Sequence, residues 1–218
     1  MSEAEKWFNP VKEFKKTNTR LNKVGCGMCL AKWTQTTIHL QLGRTHSCHH
    51  PDTHVIPIDE IKKNPGALHN TAFKKQKRKE MLEGKRPSEC NYCWNVEDNS
   101  KEFSDRTYKS NEPWSKPHFD EIVEGPWDQD FNPRYVEIGF TNACNFKCSY
   151  CGPSFSSKWV EEMNQYGNYP TTDYFNNIEY LKDSGRMPFK QTDYNPYVEA
   201  FWKWWPSLYR DLHTFRIY

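Results

Sequence analysis

Arg134-Tyr-Val-Glu-Ile-Gly-Phe140-Thr-Asn-Ala-Cys144-Asn-Phe-Lys-Cys148-Ser-Tyr-Cys151-Gly-Pro153 is the stretch on which the reading of the fold turns. Arg134 to Phe140 is an apolar run of strand length and reads as a β-strand. It passes through Thr141-Asn142-Ala143 into a loop with three cysteines at spacings of four and three residues, closing at Gly152. Parallel α/β folds carry their sites on loops at the carboxyl ends of strands, which is where this loop falls. Three thiolates can hold three corners of an iron–sulfur cube and leave the fourth iron open to a small molecule. An open coordination position is what separates a catalytic metal site from a structural one. Two blander readings compete: a zinc site completed by a distant histidine, and three unrelated buried cysteines. Zinc more usually takes paired CxxC knuckles than a CxxxCxxC triplet.

Downstream, Ser154 to Met163 reads as a helix with Trp159, Val160 and Met163 on one side, and residues 166–188 read as an irregular polar insertion or lid. Asn195-Pro196 opens a helix whose apolar face is predicted to hold Val198, Phe201, Trp202, Trp205 and Leu208, a core face before a cofactor box. Thr214 to Tyr218 begins another strand. Strand, helix, helix, strand is the start of a parallel α/β layout.

Upstream, Gly25-Cys26-Gly27-Met28-Cys29 places a CxxC on a glycine-rich turn. Thr36 to Leu42 alternates, with Ile38, Leu40 and Leu42 on one face, and predicts a strand. Gly43-Arg44 can turn the chain so that Thr45 to Cys48 returns as the second strand of a hairpin. A short helix is expected from Pro57, ended by Asn64-Pro65-Gly66, and a second from near Asn70 to Leu82, stopped by Gly84. The second helix carries Lys74, Lys75, Lys77, Arg78 and Lys79; a short basic run of this kind reads as a solvated face rather than a docking patch. Cys90-Asn-Tyr-Cys93 is a second CxxC.

Thirty basic and 28 acidic side chains leave a net charge of +2 over 218 residues, which argues against a general nucleic-acid or membrane binder. Aromatic residues at 16%, nine of them Trp, argue for a folded chain. No apolar run approaches the roughly 18 residues of a membrane span, and Met1 to Lys6 lacks the apolar segment of a secretory signal. A cytoplasmic, reducing location is therefore expected, in which eight closely spaced cysteines point to metal before a disulfide framework.

The triplet Cys144-x-x-x-Cys148-x-Tyr150-Cys151 resembles the CxxxCxΦC signature of radical S-adenosylmethionine (SAM) enzymes. The resemblance implies that Cys144, Cys148 and Cys151 bind a [4Fe-4S] cluster, that SAM fills its open iron, and that Tyr150 lies against the SAM adenine. It further implies reductive cleavage of SAM to a 5′-deoxyadenosyl radical, C–H activation of a substrate, and an electron donor such as a reductase. By analogy of fold alone, the substrate class is peptide or protein. Cys29, thirteen residues, Gly43, four residues and Cys48 make a CX9-15GX4C pattern, which resembles the half-SPASM or twitch module, an auxiliary [4Fe-4S] domain built beside a hairpin. That resemblance implies Cys29, Cys48, Cys90 and Cys93 as ligands, with Cys26 spare or substituting. The competing assignment is a zinc ribbon of Cys26, Cys29, Cys90 and Cys93. His46, His49 and His50 are expected as surface or supporting histidines.

The expected organisation is an N-terminal arm (1–23), a small α+β twitch-like domain with a hairpin (24–108), a linker (109–130) and the start of a partial (β/α)6 radical SAM barrel (131–218). In that family a strand like Thr214–Tyr218 runs into a Gly-Gly-Glu segment that holds the SAM amino group. The segment is absent here, so a fragment or split gene is expected, with the barrel completed by a separate chain. The alternative function is a non-catalytic iron–sulfur or zinc protein that carries electrons or binds a partner.

Overall fold

A five-stranded mixed sheet, ordered β3-β2-β1-β4-β5, organises the computed structural model, which describes residues 10–218. Its strands are β1 (Gln35–His39), β2 (Arg44–His46), β3 (His54–Val55), β4 (Tyr135–Gly139) and β5 (Thr214–Ile217). β1 and β2 are antiparallel, with Ile38 opposite Thr45, and β3 adds antiparallel to β2. The expected hairpin is therefore present, and Gly43 at φ 62° makes the left-handed turn that other residues resist. β4 pairs in parallel with β1 on one side and with β5 on the other. The strand predicted from the organising stretch thus lies inside the sheet, paired on both sides and next to the edge strand β5.

The chain is mixed α/β, as expected. The division at 109–130 looks different in three dimensions. β1 belongs to the stretch expected as the auxiliary domain and β4 to the stretch expected as the barrel, yet they are hydrogen-bonded neighbours in one sheet. The expected linker folds into the end of one helix (Asp105–Asn111), a single-turn segment and a short helix over Phe119–Glu124. Trp114, Phe119 and Ile122 are buried there. Its proline- and charge-rich composition masked three apolar anchors spaced too widely to show a period.

Ten helices are described: α1 (Pro10–Val24), α2 (Ala31–Thr34), α3 (Ile58–Lys63), α4 (Ala72–Leu82), α5 (Asn91–Asn99), α6 (Asp105–Asn111), α7 (Phe119–Glu124), α8 (Ser157–Tyr166), α9 (Ile178–Asp183) and α10 (Pro196–Leu208). Residues 1–9 of the expected arm, including Met1–Lys6, lie outside the described residues; the remainder is α1. α4 starts at Thr71, whose hydroxyl accepts from the Lys74 amide, as the capping preference of threonine requires. α9 gives the expected insertion a buried anchor in Ile178 and Leu181.

Two apolar clusters hold these elements. One joins Ile38, Val136 and Ile138 of the sheet to Phe201, Trp204 and Leu208 of α10. The other packs Leu21, Met28, Trp33 and Met81 against Phe119, Ile122 and Phe131. The inward stripe of α10 is Tyr197, Phe201, Trp204 and Leu208, rotated from the predicted face, and Trp202 is 56% exposed. Apolar residues cover so much of this helix that spacing alone does not fix which side turns inward.

The basic face of α4 is a clear correction. Lys74 and Arg78, one turn apart, are buried. Lys74 Nζ donates to Thr36 Oγ1 (2.9 Å), Thr45 Oγ1 (3.0 Å) and the His46 carbonyl (3.4 Å). Arg78 donates to the Lys32 carbonyl and to Asn70 Oδ1. Strands β1 and β2 and the 69–70 turn offer enough acceptors to draw this side of the helix inward. No helix among the described residues is long and apolar enough to cross a membrane.

Candidate metal centres

All eight cysteines are free thiols, so the disulfide reading has no counterpart in the fold. They fall into two groups. Cys29 stands just before α2, Cys48 in the bend after β2, Cys90 at the end of a single turn, and Cys93 in the first turn of α5. Fold brings these four, separated by up to sixty-four positions in the chain, to the wall of one cavity. Cys26 does not line it; its sulfur is exposed and faces the Gly84 carbonyl at 3.9 Å. The zinc-ribbon set of Cys26, Cys29, Cys90 and Cys93 is therefore not assembled, and Cys48 stands where Cys26 would have been needed.

Backbone packing explains the glycine-rich turn. A Cβ on Gly27 would sit 1.8 Å from the Lys85 carbonyl oxygen, so only glycine lets Cys29 approach the chain segment leading to Cys90. Arg106 braces the opposite wall. Its guanidinium grips both Glu97 oxygens (2.8 and 2.9 Å) and donates to the Met28 carbonyl (3.2 Å), tying α6, α5 and the first CxxC together. Trp94 Nε1 donates to the Pro87 carbonyl at 2.8 Å and fixes the entry to α5.

Burial pushes the Cys29 thiol well up, and pushes Cys48 up to about 11 against the opposing effect of the His50 amide and Lys32. Cys90 and Cys93 are also raised, chiefly by burial. Lys32, buried in the cavity wall and paired with Glu89, shows the complementary behaviour. Burial opposes its charge, but the neighbouring Cys90 and Glu89 outweigh it and raise its pKa.

An anionic iron–sulfur cluster fits this cavity on two counts. First, the buried charged side chains among the described residues are all basic: Lys32, Arg44, Lys74, Arg78 and Arg106. Second, Ser47 Oγ is buried on the cavity wall and has no hydrogen-bond partner, which leaves a hydroxyl donor for an acceptor inside.

The second group is Cys144, Cys148 and Cys151, on the loop leaving the carboxyl end of β4, all half-buried. The start of α8 shapes this loop. Ser156 Oγ donates to the Phe146 carbonyl (2.7 Å), Ser157 Oγ to the Cys144 carbonyl (3.2 Å), and Trp159 Nε1 to the Cys148 carbonyl (3.3 Å). Asn142 Nδ2 closes the loop on the Pro153 carbonyl (3.2 Å). Burial raises the Cys151 pKa, and the neighbouring Cys144 and Cys148 add to the effect. Tyr150 is 91% exposed, and its hydrogen bond to Cys148 raises its pKa. Its ring is free to stack on a ligand.

A file of rings runs between the two groups. His46, two residues before Cys48, stacks on His39 (5.5 Å between centroids, 5° between planes), and His39 meets Phe155 of the cysteine loop edge-on at 5.6 Å. His39 is buried among His46, Arg44 and Arg186, and burial first holds its pKa down at about 4. Lys32, Ser47 and Arg106 escaped the sequence reading, because none stands within a recognisable spacing of a cysteine except Ser47, whose type is unremarkable. Comparison of the chain with protein-family models, curated proteins and solved structures finds no match.

Proposed function

We propose that the chain is a radical SAM iron–sulfur protein with two cluster sites: Cys144, Cys148 and Cys151 for the SAM-binding [4Fe-4S] cluster, and Cys29, Cys48, Cys90 and Cys93 for an auxiliary one. The observation that carries the reading is the CxxxCxΦC loop at the carboxyl end of an interior parallel strand, together with a cavity lined by four thiols and by Lys32 and Arg106. When bound, the first cluster supplies the electron that cleaves SAM reductively for C–H activation. The residues of this chain have definable tasks. Ser156, Ser157 and Trp159 hold the three-cysteine loop open toward one side by bonding its carbonyls. Tyr150 offers an exposed ring to an adenine, and Lys32, Ser47 and Arg106 offset the charge of the auxiliary site. A full set of four thiols leaves no vacant position there, which suits electron transfer or structural support rather than substrate binding. The substrate class proposed is peptide or protein, and an electron donor is required.

Anaerobic reconstitution tests the proposal. About eight irons per chain, broad absorption near 400 nm, and a SAM-dependent change in the EPR signal of the reduced protein are expected. A colourless, zinc-loaded chain would dispose of both cluster assignments.

A further inference from the structure

We propose that His49, His50 and Asp105 form a third, mononuclear site, for a divalent transition metal, on the rim of the four-thiol cavity. Asp105 Oδ2 receives His50 Nε2 at 2.8 Å and His49 Nε2 at 3.3 Å. Among the described residues this is the one trio of histidine, cysteine or carboxylate donor atoms gathered within 4.8 Å. Donors bound at about 2.0–2.2 Å to a first-row ion stand about 3 Å or slightly more from each other, so the observed separations need little adjustment. Two imidazoles and one carboxylate select zinc, iron(II) or a similar ion over magnesium or calcium, which prefer all-oxygen shells.

The arrangement is held from outside. The His50 ring stacks on Tyr92, 3.6 Å between centroids and 12° between planes. Cys48, two residues before His50, lines the same cavity as His50 and Asp105. Asp105 begins α6, directly after Ser104, whose hydroxyl is bonded to Glu97 at 2.6 Å. Bracing of this kind orients ligands before the ion arrives. His49 is 56% exposed, which leaves room for water or another oxygen ligand on the solvent side.

Cobalt(II) is the probe. Titrated anaerobically into the full chain, it should bind one equivalent that gives weak visible d–d bands without the intense near-ultraviolet absorption of thiolate-bound cobalt. That component should weaken by about tenfold or more in His49→Ala and in Asp105→Asn. His49 is surface-accessible, so its variant reads the site even if Asp105→Asn misfolds. Absence of cobalt binding, binding seen only through thiolate bands, or binding unchanged in both variants would overturn the proposal. The titration uses the iron-reconstituted chain, so that the cavity thiols are already occupied and do not compete for cobalt.

Discussion

Replacing Cys48 and Cys26 separately separates the auxiliary-site assignment from its competitors. Cys48 lines the cavity with Cys29, Cys90 and Cys93, whereas Cys26 is exposed and outside it. Cys48→Ala removes one of four anchors from a site whose other thiols burial keeps protonated when no metal is present. A cubane lost as a unit lowers iron from about eight to about four per chain. Cys26→Ala leaves the wall intact and should retain about eight. Cys144→Ala should remove the other four and with them the SAM-dependent EPR change, while the auxiliary absorption persists. Iron and sulfide are assayed per chain after reconstitution and gel filtration, with circular dichroism as a control on folding. Equal iron loss in the Cys26 and Cys48 variants would refute the ligand set, as would iron unchanged in Cys48→Ala.

Three further outcomes follow from the packing and the buried ionisable groups. His39 holds a pKa of about 4 in the folded chain against 6.5 for the free side chain. The unfolded state therefore takes up the proton first as pH falls, and stability drops between pH 6.5 and 4, by about 2 kcal/mol at pH 5 from this group alone. His39→Gln should shorten the acid limb of a urea-unfolding series by about that amount, and an unaltered limb would contradict the burial argument. Phe201→Ala, at the centre of the sheet-facing cluster, should cost about 3–5 kcal/mol in chemical denaturation, whereas Trp202→Ala on the exposed side should cost less than about 1 kcal/mol. Gly27→Ala forces a methyl into the Lys85 carbonyl; a destabilisation of about 1–3 kcal/mol and poor retention of auxiliary iron are expected, and normal stability with full iron would show that the turn can yield.

What the sequence disclosed follows from the range over which each signal acts. The β4 strand, the hairpin at Gly43 and the span and stop of α4 are local, written in spacing and turn residues a few positions apart, and all stand in the fold near their expected bounds. The gathering of Cys29, Cys48, Cys90 and Cys93 is not local and was legible only through a family resemblance. What stayed hidden were partners chosen by the tertiary fold: the pairing of β1 with β4, the rotation of α10 and the inward turn of Lys74 and Arg78.

The inward turn of those two residues bears on the site itself. A net charge of +2 describes a balanced chain, but the balance is not kept inside. Lys74 is fully buried with hydroxyl, carbonyl and imidazole partners, and burial, then Arg78 and Lys32, hold its pKa far below the usual lysine range. Cys48 acts in the opposite direction on the same lysine. Burying cations without anions is costly, and a protein normally avoids it by pairing or neutralising them. Lys32 and Arg106 are already offset by Glu89 and Glu97, whereas Lys74 has only neutral hydrogen-bond partners; four metal-bound thiolates in the cavity would add negative charge on its Cys48 side. The basic interior and the thiol cavity are then two halves of one electrostatic arrangement: filling the cavity with an anionic cluster should raise the stability of the whole sheet, and stripping the iron should lower it even in regions far from any cysteine.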